Sequence, residues 1–165
     1  MLNRLNHGIV RENLNTGRPI LIDCCPMLGV LSLSAIFAAD RVLIPVSADY
    51  LAVKGLQQAD KTLRALEHVL KKRVARRYVV TRFDARRKLS HQLVRELEAE
   101  YGDEICRTRI TENVALAESP MARKDVFAHA SESKGAQSYD ALVEELVQTG
   151  FIESRPPSDA GVRSA

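Results

Sequence analysis

No apolar run in these 165 residues approaches the ~20 needed to span a bilayer. The N-terminus lacks a basic segment followed by an apolar stretch, so a secretory signal is not expected. Only three cysteines are present, two of them adjacent, so there is no disulfide framework. A reducing cytoplasm is the expected compartment. The four histidines, His7, His68, His91 and His129, are dispersed without ligand-like spacing and read as surface residues. No Ser-His-Asp or Cys-His constellation is visible in the order of residues. The eight glycines are scattered, and none sits in a glycine-rich loop before a Lys-Thr pair. The sequence therefore shows no backbone cradle for phosphates. The net charge is only +3, so contact with nucleic acid would need a local patch. The length suits one domain, and an apolar fraction of 45% is enough for a core.

The most informative stretch is Pro19-Ile20-Leu21-Ile22-Asp23-Cys24-Cys25-Pro26-Met27-Leu28-Gly29. Its first half reads as a buried parallel strand over 19–23. A carboxylate, a Pro and a Gly then turn the chain. An apolar strand ending in Asp is the Walker B pattern of nucleotide hydrolases. An acid at the carboxyl end of such a strand can hold Mg²⁺ against phosphate oxygens. Many buried strands end equally well in an Asp that only caps the next helix. Cys24 and Cys25 have poor geometry for one tetrahedral ion and read as buried small apolar filling.

Residues 2–15 read as an amphipathic helix with Leu2, Leu5, Ile9, Val10 and Leu14 on one face. A short helix over 31–39 links the strand at 19–23 to a second apolar strand at 41–46. Both strands are expected in the interior of a mostly parallel sheet. Leu56, Ala59, Leu63, Leu66 and Leu70 stripe a helix over 55–72. Residues 78–81 form a third strand, and Leu89, Leu93, Leu97 and Tyr101 stripe the next helix, ended by Gly102. Residues 105–110 alternate and read as an edge-ward strand. The last helix, 134–148, turns Tyr139, Leu142, Val143 and Leu146 inward and stops at Gly150. The tail 154–165, with Pro156-Pro157, is expected to be disordered.

Several segments together resemble the ParA/MinD family of partition ATPases. One runs from Asp23-Cys24-Cys25-Pro26 through Ala38-Ala39-Asp40-Arg41-Val42-Leu43-Ile44-Pro45-Val46. Family text there is D-x-P-P-x-L-G followed by N-A-L-x-A-A-D-x-V-L-I-P-V. The likeness continues through 50–56, Thr81-Arg82-Phe83-Asp84-Ala85-Arg86, Asn113 to Pro120 and Ser133 to Tyr139. It spans about Arg18 to Gly150 in order and is nearest the ParA/Soj branch. The family's deviant P-loop, K-G-G-x-G-K-T, does not occur in these residues. The resemblance thus implies the C-terminal part of such an ATPase, starting just before Walker B. The implied fold is three-layer α/β with a mostly parallel sheet of the P-loop NTPase type, its N-terminal strand and P-loop missing. It fills 1–153, followed by the tail.

The resemblance also implies roles. Asp23 would be the catalytic and Mg²⁺-orienting carboxylate. Thr81, at the end of the third strand, would lie near the adenine; a strand-ending Thr before an Asx turn is the equal alternative. Asn113 and Val114 lie in the loop that wraps the adenine and faces the dimer partner. There Thr111, Glu112 and Ala115 replace the usual Pro and two Arg, which removes positive charge. Cys25 replaces the first of two prolines after the Walker B Asp. Nine basic residues lie between Lys71 and Lys88, with Asp84 the one acid among them. Arg82, Arg86, Arg87 and Lys88 are the candidates for sequence-independent DNA contact; a solvated basic face is the alternative. An intact relative would bind ATP and Mg²⁺, form a homodimer, coat nucleoid DNA in the cytoplasm and respond to a ParB-like partner. This chain alone is expected to bind little nucleotide. A second reading is a P-loop-less binding module that contacts DNA or pairs with a full-length ParA. Membrane attachment is not expected, since the tail has no basic amphipathic helix.

Overall fold

The computed structural model describes residues 19–25 and 29–152. Within them the chain alternates helix and strand. Helix α1 is Val30–Ala38, β1 is Arg41–Ser47 and α2 is Tyr50–Leu70. Strand β2 is Ala75–Phe83, α3 is Lys88–Tyr101 and a 3₁₀ turn covers Gly102–Glu104. Strand β3 is Ile105–Thr111, followed by short helices α4 (Val114–Glu118) and α5 (Val126–Ala130), and by α6 (Lys134–Gln148). The strands form one parallel sheet in the order β1-β2-β3. Parallel neighbours need helical crossovers, and α2 and α3 supply them.

The central strand is buried on both faces, as its Val79-Val80 pair illustrates. Val80 packs with Val46, Val53, Leu56, Leu93, Val94 and Leu97 beneath α2 and α3. Val79 packs with Cys106, Ile110, Leu142 and Leu146 beneath α6. That makes three layers, helix on sheet on helix, as the α/β reading required. Caps set the helix ends. Asp49 Oδ1 accepts from Ala52 N at 2.8 Å to start α2, five residues before the apolar stripe suggests. Ser133 Oγ accepts from Ala136 N at 3.1 Å to start α6. Gly135 lies so close to α4 that a Cβ there would sit 2.7 Å from Leu116 Cγ. A glycine is needed at that helix contact because α6 and Leu116 leave no room for a methyl.

Several expectations are corrected. Residues 19–23 are not a strand: the segment has no ladder partner, and Ile20, Leu21 and Ile22 are exposed. A strand exists by pairing, and no described strand lies beside this one. For the same reason β1 is an edge of the described sheet and not interior. Ala48 N donates to Thr81 O at 2.9 Å, so even-numbered β1 positions face β2. Leu43 and Pro45 then turn their main chain away from β2, where Pro45 offers no N–H. Cys24 and Cys25 are exposed and fill no core; Cys106 is buried instead. Of the four residues expected to turn inward on α6, Leu142 and Leu146 are buried, while Tyr139 and Val143 lie outward. The sheet presents α6 with a narrower contact than its whole apolar stripe. Leu89 is likewise exposed at the start of α3. The proposed helix 2–15 and tail 154–165 lie outside the described residues.

β3 is an edge among the described strands, as its alternation suggested. Its Arg107 and Thr108 N–H groups, both at 2.7 Å, donate to the two carboxylate oxygens of Glu145 on α6. Burial works against the Glu145 charge, but these bonds together with the Thr108 side chain outweigh it and keep its carboxyl below the ordinary range. Those two N–H groups are thereby occupied from within the chain.

A buried ionic network sits at the amino end of β2. Asp60 on α2 accepts from Arg76 Nη1 at 2.8 Å, from Arg64 Nε at 2.6 Å and from the Tyr78 hydroxyl at 2.7 Å. Arg76 also pairs with Glu67, whose other oxygen accepts from Val74 N at 2.8 Å. The Tyr78 and Tyr101 rings stack at 4.4 Å between centroids. Burial first, and then the Glu100 and Asp60 charges, push the Tyr101 hydroxyl up to about 12.

Candidate functional site

Because the three strands are parallel, their carboxyl ends share one rim, and ligands of open α/β sheets bind there. Ser47 ends β1, Phe83 ends β2 and Thr111 ends β3. Two main-chain bonds tie the exits together: Ala48 N to Thr81 O at 2.9 Å, and Glu112 N to Phe83 O at 3.0 Å. Thr81 is half-buried and lies opposite Ser47 in the ladder, so it does stand at the rim.

Arg82 follows with φ +52, a left-handed conformation that non-glycine residues rarely adopt. The β2–β3 register shifts between Val80 and Phe83, which accommodates it as a bulge. Such strain is concentrated at functional rims more than elsewhere. The Arg82 guanidinium reaches Glu112 Oε1 at 3.2 Å. Asp84 forms an Asx turn, with Oδ1 accepting from Arg86 N at 3.0 Å. It also pairs in two-pronged fashion with Arg86, at 3.0 and 3.1 Å, and with Arg87 Nε at 3.3 Å. The Arg86 side chain and backbone N–H hold the Asp84 carboxyl down to about 2. Asp49 is also held below its ordinary range, by the Ala52 N–H first, then the Ser47 hydroxyl, with a weaker pull from Arg82.

Asn113 and Val114 come to the same rim. Asn113 Oδ1 accepts from Ala115 N at 3.0 Å and caps α4, while the Val114 side chain is exposed. The Asn113 oxygen is thus committed to the helix, and its amide N–H₂ stays available to a ligand. Asp23 is exposed on the unpaired segment 19–25. Among the described residues no hydrogen bond or ion pair joins it to Thr81, Asn113 or Val114. Nor does any group of three His, Cys, Asp or Glu among them suit a metal ion. Asp23 offers one carboxylate, so a Mg²⁺ there would draw its other ligands from phosphate and water, a common arrangement for this ion.

The basic run from Lys71 to Lys88 is not one surface. Arg76 is buried in the network with Asp60 and Glu67, and Arg77 Nη1 donates to Asp103 O at 2.7 Å. Lys72 donates to Phe37 O. These sit at the amino end of β2, roughly 20 Å along the strand from the rim. Arg82 is the penultimate residue of β2, and Arg86, Arg87 and Lys88 follow its carboxyl end. Sequence reasoning missed Asp49 at the rim and, for Glu112, its pairing with Arg82. An Asp directly before a long apolar stripe is a legible cap signal for the first. Glu112 has no local signal, since its partner Arg82 is 30 residues away.

The fold and rim define a parallel α/β domain of the P-loop NTPase type. A family model described as an AAA domain matches residues 13–76. Chromosome partitioning protein ParA of Myxococcus xanthus is 36% identical over 130 residues, covering 78% of this chain and 46% of that protein. Sporulation initiation inhibitor protein Soj of Bacillus subtilis is 35% identical over 132 residues, 79% of this chain and 52% of its own. Chromosome-partitioning ATPase Soj of Thermus thermophilus is 36% identical over 129 residues, with coverages of 78% and 52%. The chain belongs to the ParA/Soj family. It spans about half the length of the curated relatives it matches.

Proposed function

We propose that this chain serves DNA partition as part of a ParA-type ATPase. The observation that carries the reading is the in-order match to named partition proteins over about four fifths of the chain. In this reading the intact protein binds ATP and Mg²⁺, dimerises, coats DNA without sequence preference in the cytoplasmic nucleoid, and answers to a ParB-like partner. Asp23 orients the metal, and Thr81, Asn113 and Val114 border the adenine. Arg82, Arg86, Arg87 and Lys88 supply the phosphate contacts. The rim position of all but Asp23 supports the reading. No described helix is long and apolar enough to cross a membrane.

DNA contact is tested by gel retardation of unrelated duplexes. Affinity should fall steeply with salt and be indifferent to sequence. Reversing Arg86, Arg87 and Lys88 to Glu should weaken binding at least ~10-fold at low salt, because it alters several phosphate contacts at once. Equal binding by the triple variant would move the DNA surface elsewhere.

In a second reading these residues, which hold no K-G-G-x-G-K-T, act as a module that binds without catalysis. Without a P-loop several charge-assisted bonds to phosphate are gone, each worth ~1.5–3 kcal/mol. The 165-residue chain should then show no Mg²⁺-dependent ATP hydrolysis above background. Turnover that disappears in Asp23→Ala would overturn that reading.

A further inference from the structure

We infer that Glu112 is an intramolecular competitor for phosphate, holding Arg82 and Arg87 away from polyanions at the rim. The inference rests on the DNA reading proposed above and adds a restraint on it. Glu112 is placed by its own backbone: its N–H donates to Phe83 O at 3.0 Å, which fixes it beside the β2 exit. From there its two carboxylate oxygens reach different arginines. Oε1 lies 3.2 Å from Arg82 Nη2, and Oε2 lies 3.9 Å from Arg87 Nη2. Asp84 engages Arg86 and the Nε side of Arg87. The three arginines of the patch are therefore spoken for by two acids. Among the described residues Lys88 alone of the four candidate cations has no acidic partner.

A guanidinium whose charge is already balanced by a carboxylate neutralises a phosphate less fully, so fewer of the cations condensed on the DNA are released. The left-handed Arg82 backbone, φ +52, projects that side chain from the bulge, where Glu112 meets it. Both partners are well exposed, with side-chain accessibilities of 70% for Arg82 and 42% for Glu112. Exposed pairs of this kind are weak, so a phosphate backbone can displace the carboxylate. The restraint is graded, changing affinity several-fold and not abolishing it.

The test is fluorescence anisotropy of a labelled duplex across a salt series, using the full chain. Glu112→Gln should bind about 3–10-fold tighter than the parent at low salt. Its slope of log K against log salt should steepen by about 1, as expected for one more effective phosphate contact. Two controls separate the contact from mere loss of negative charge. Glu132→Gln removes an exposed acid that pairs with none of these arginines, and should gain less than half as much. In the Arg82→Gln background, Glu112→Gln should lose most of its advantage. Equal gains in Glu112→Gln and Glu132→Gln, or a gain that survives Arg82→Gln, would overturn the inference while leaving DNA binding by the patch intact. If neither the parent nor Glu112→Gln binds any duplex, the DNA reading and this restraint on it fall together.

Discussion

Replacing Asp60 with Ala should lower the unfolding free energy by about 3–5 kcal/mol, the range for removing one partner of a buried ion pair. The side chains of Asp60 and Arg76 are each only 8% exposed. Truncation leaves the Arg76 guanidinium with Glu67 alone, and leaves the Tyr78 hydroxyl, in a fully buried residue, without its acceptor. A buried donor stripped of its partner costs about 1–3 kcal/mol by itself. Arg64 makes a contrasting test. It pairs with the same carboxylate at 2.6 Å but is 48% exposed. Arg64→Ala should therefore cost no more than about 1 kcal/mol. Urea melts of the three chains give the comparison. Equal losses for the two variants would mean that burial does not set the strength of these bonds.

The same network carries a pH dependence. Burial disfavours the Asp60 charge, but the Arg64 and Tyr78 hydrogen bonds and the nearby arginine charges outweigh it, so folding lowers its pKa below the ordinary 3.8. As pH falls, the unfolded chain takes up the Asp60 proton first. The stabilisation is complete above 3.8 and is lost as pH drops through the lowered native value. The gap in stability between parent and Asp60→Ala should thus hold steady from neutral pH down to about 5 and narrow in more acid solution.

How much of this could be read from the residues depends on the range of the interactions. Strand β2 and helix α6 were evident because their signals are local. A compact apolar run marks the first, and a 3.6-residue stripe ended by Gly150 marks the second. The segment at 19–23 shows the limit. Ile20-Leu21-Ile22 has strand-like residues, yet pairing decides, and a partner cannot be seen in the segment itself. The family resemblance puts Thr81 and the pair Asn113-Val114 near one adenine from two distant stretches, and the parallel sheet brings those stretches to the same end. The basic run failed in the opposite way. Its nine residues are neighbours along the chain, but nine-residue β2 separates Arg76 from Arg86 by its whole length. Arg76 is neutralised by Asp60, 16 residues earlier, and Arg82 by Glu112, 30 residues later. Charge counted along a sequence overstates charge presented on a surface.

Helix α3 offers the sharpest test of which leucines hold the fold. Its stripe includes Leu89, Leu93 and Leu97 at regular spacing, and spacing alone makes them equivalent. The structure does not. Leu97 is 1% exposed, packed with Tyr78, Val80 and Ile105 in the core beneath α2 and α3. Leu89 is 51% exposed in the first turn of the helix, next to Lys88 at the rim. Deleting the Leu97 side chain loses its transfer energy and leaves a cavity that a parallel sheet clamped by helices closes poorly. Leu97→Ala should cost about 2–5 kcal/mol. In a domain of this size that lowers the melting temperature by roughly 5–15 °C. Leu89→Ala should stay within about 0.5 kcal/mol of the parent, as surface substitutions do. Thermal melts by circular dichroism would separate the two. A loss at Leu89 as large as that at Leu97 would mean that the first turn of α3 is covered in solution, and that the rim beside Lys88 is closed to a large polyanion.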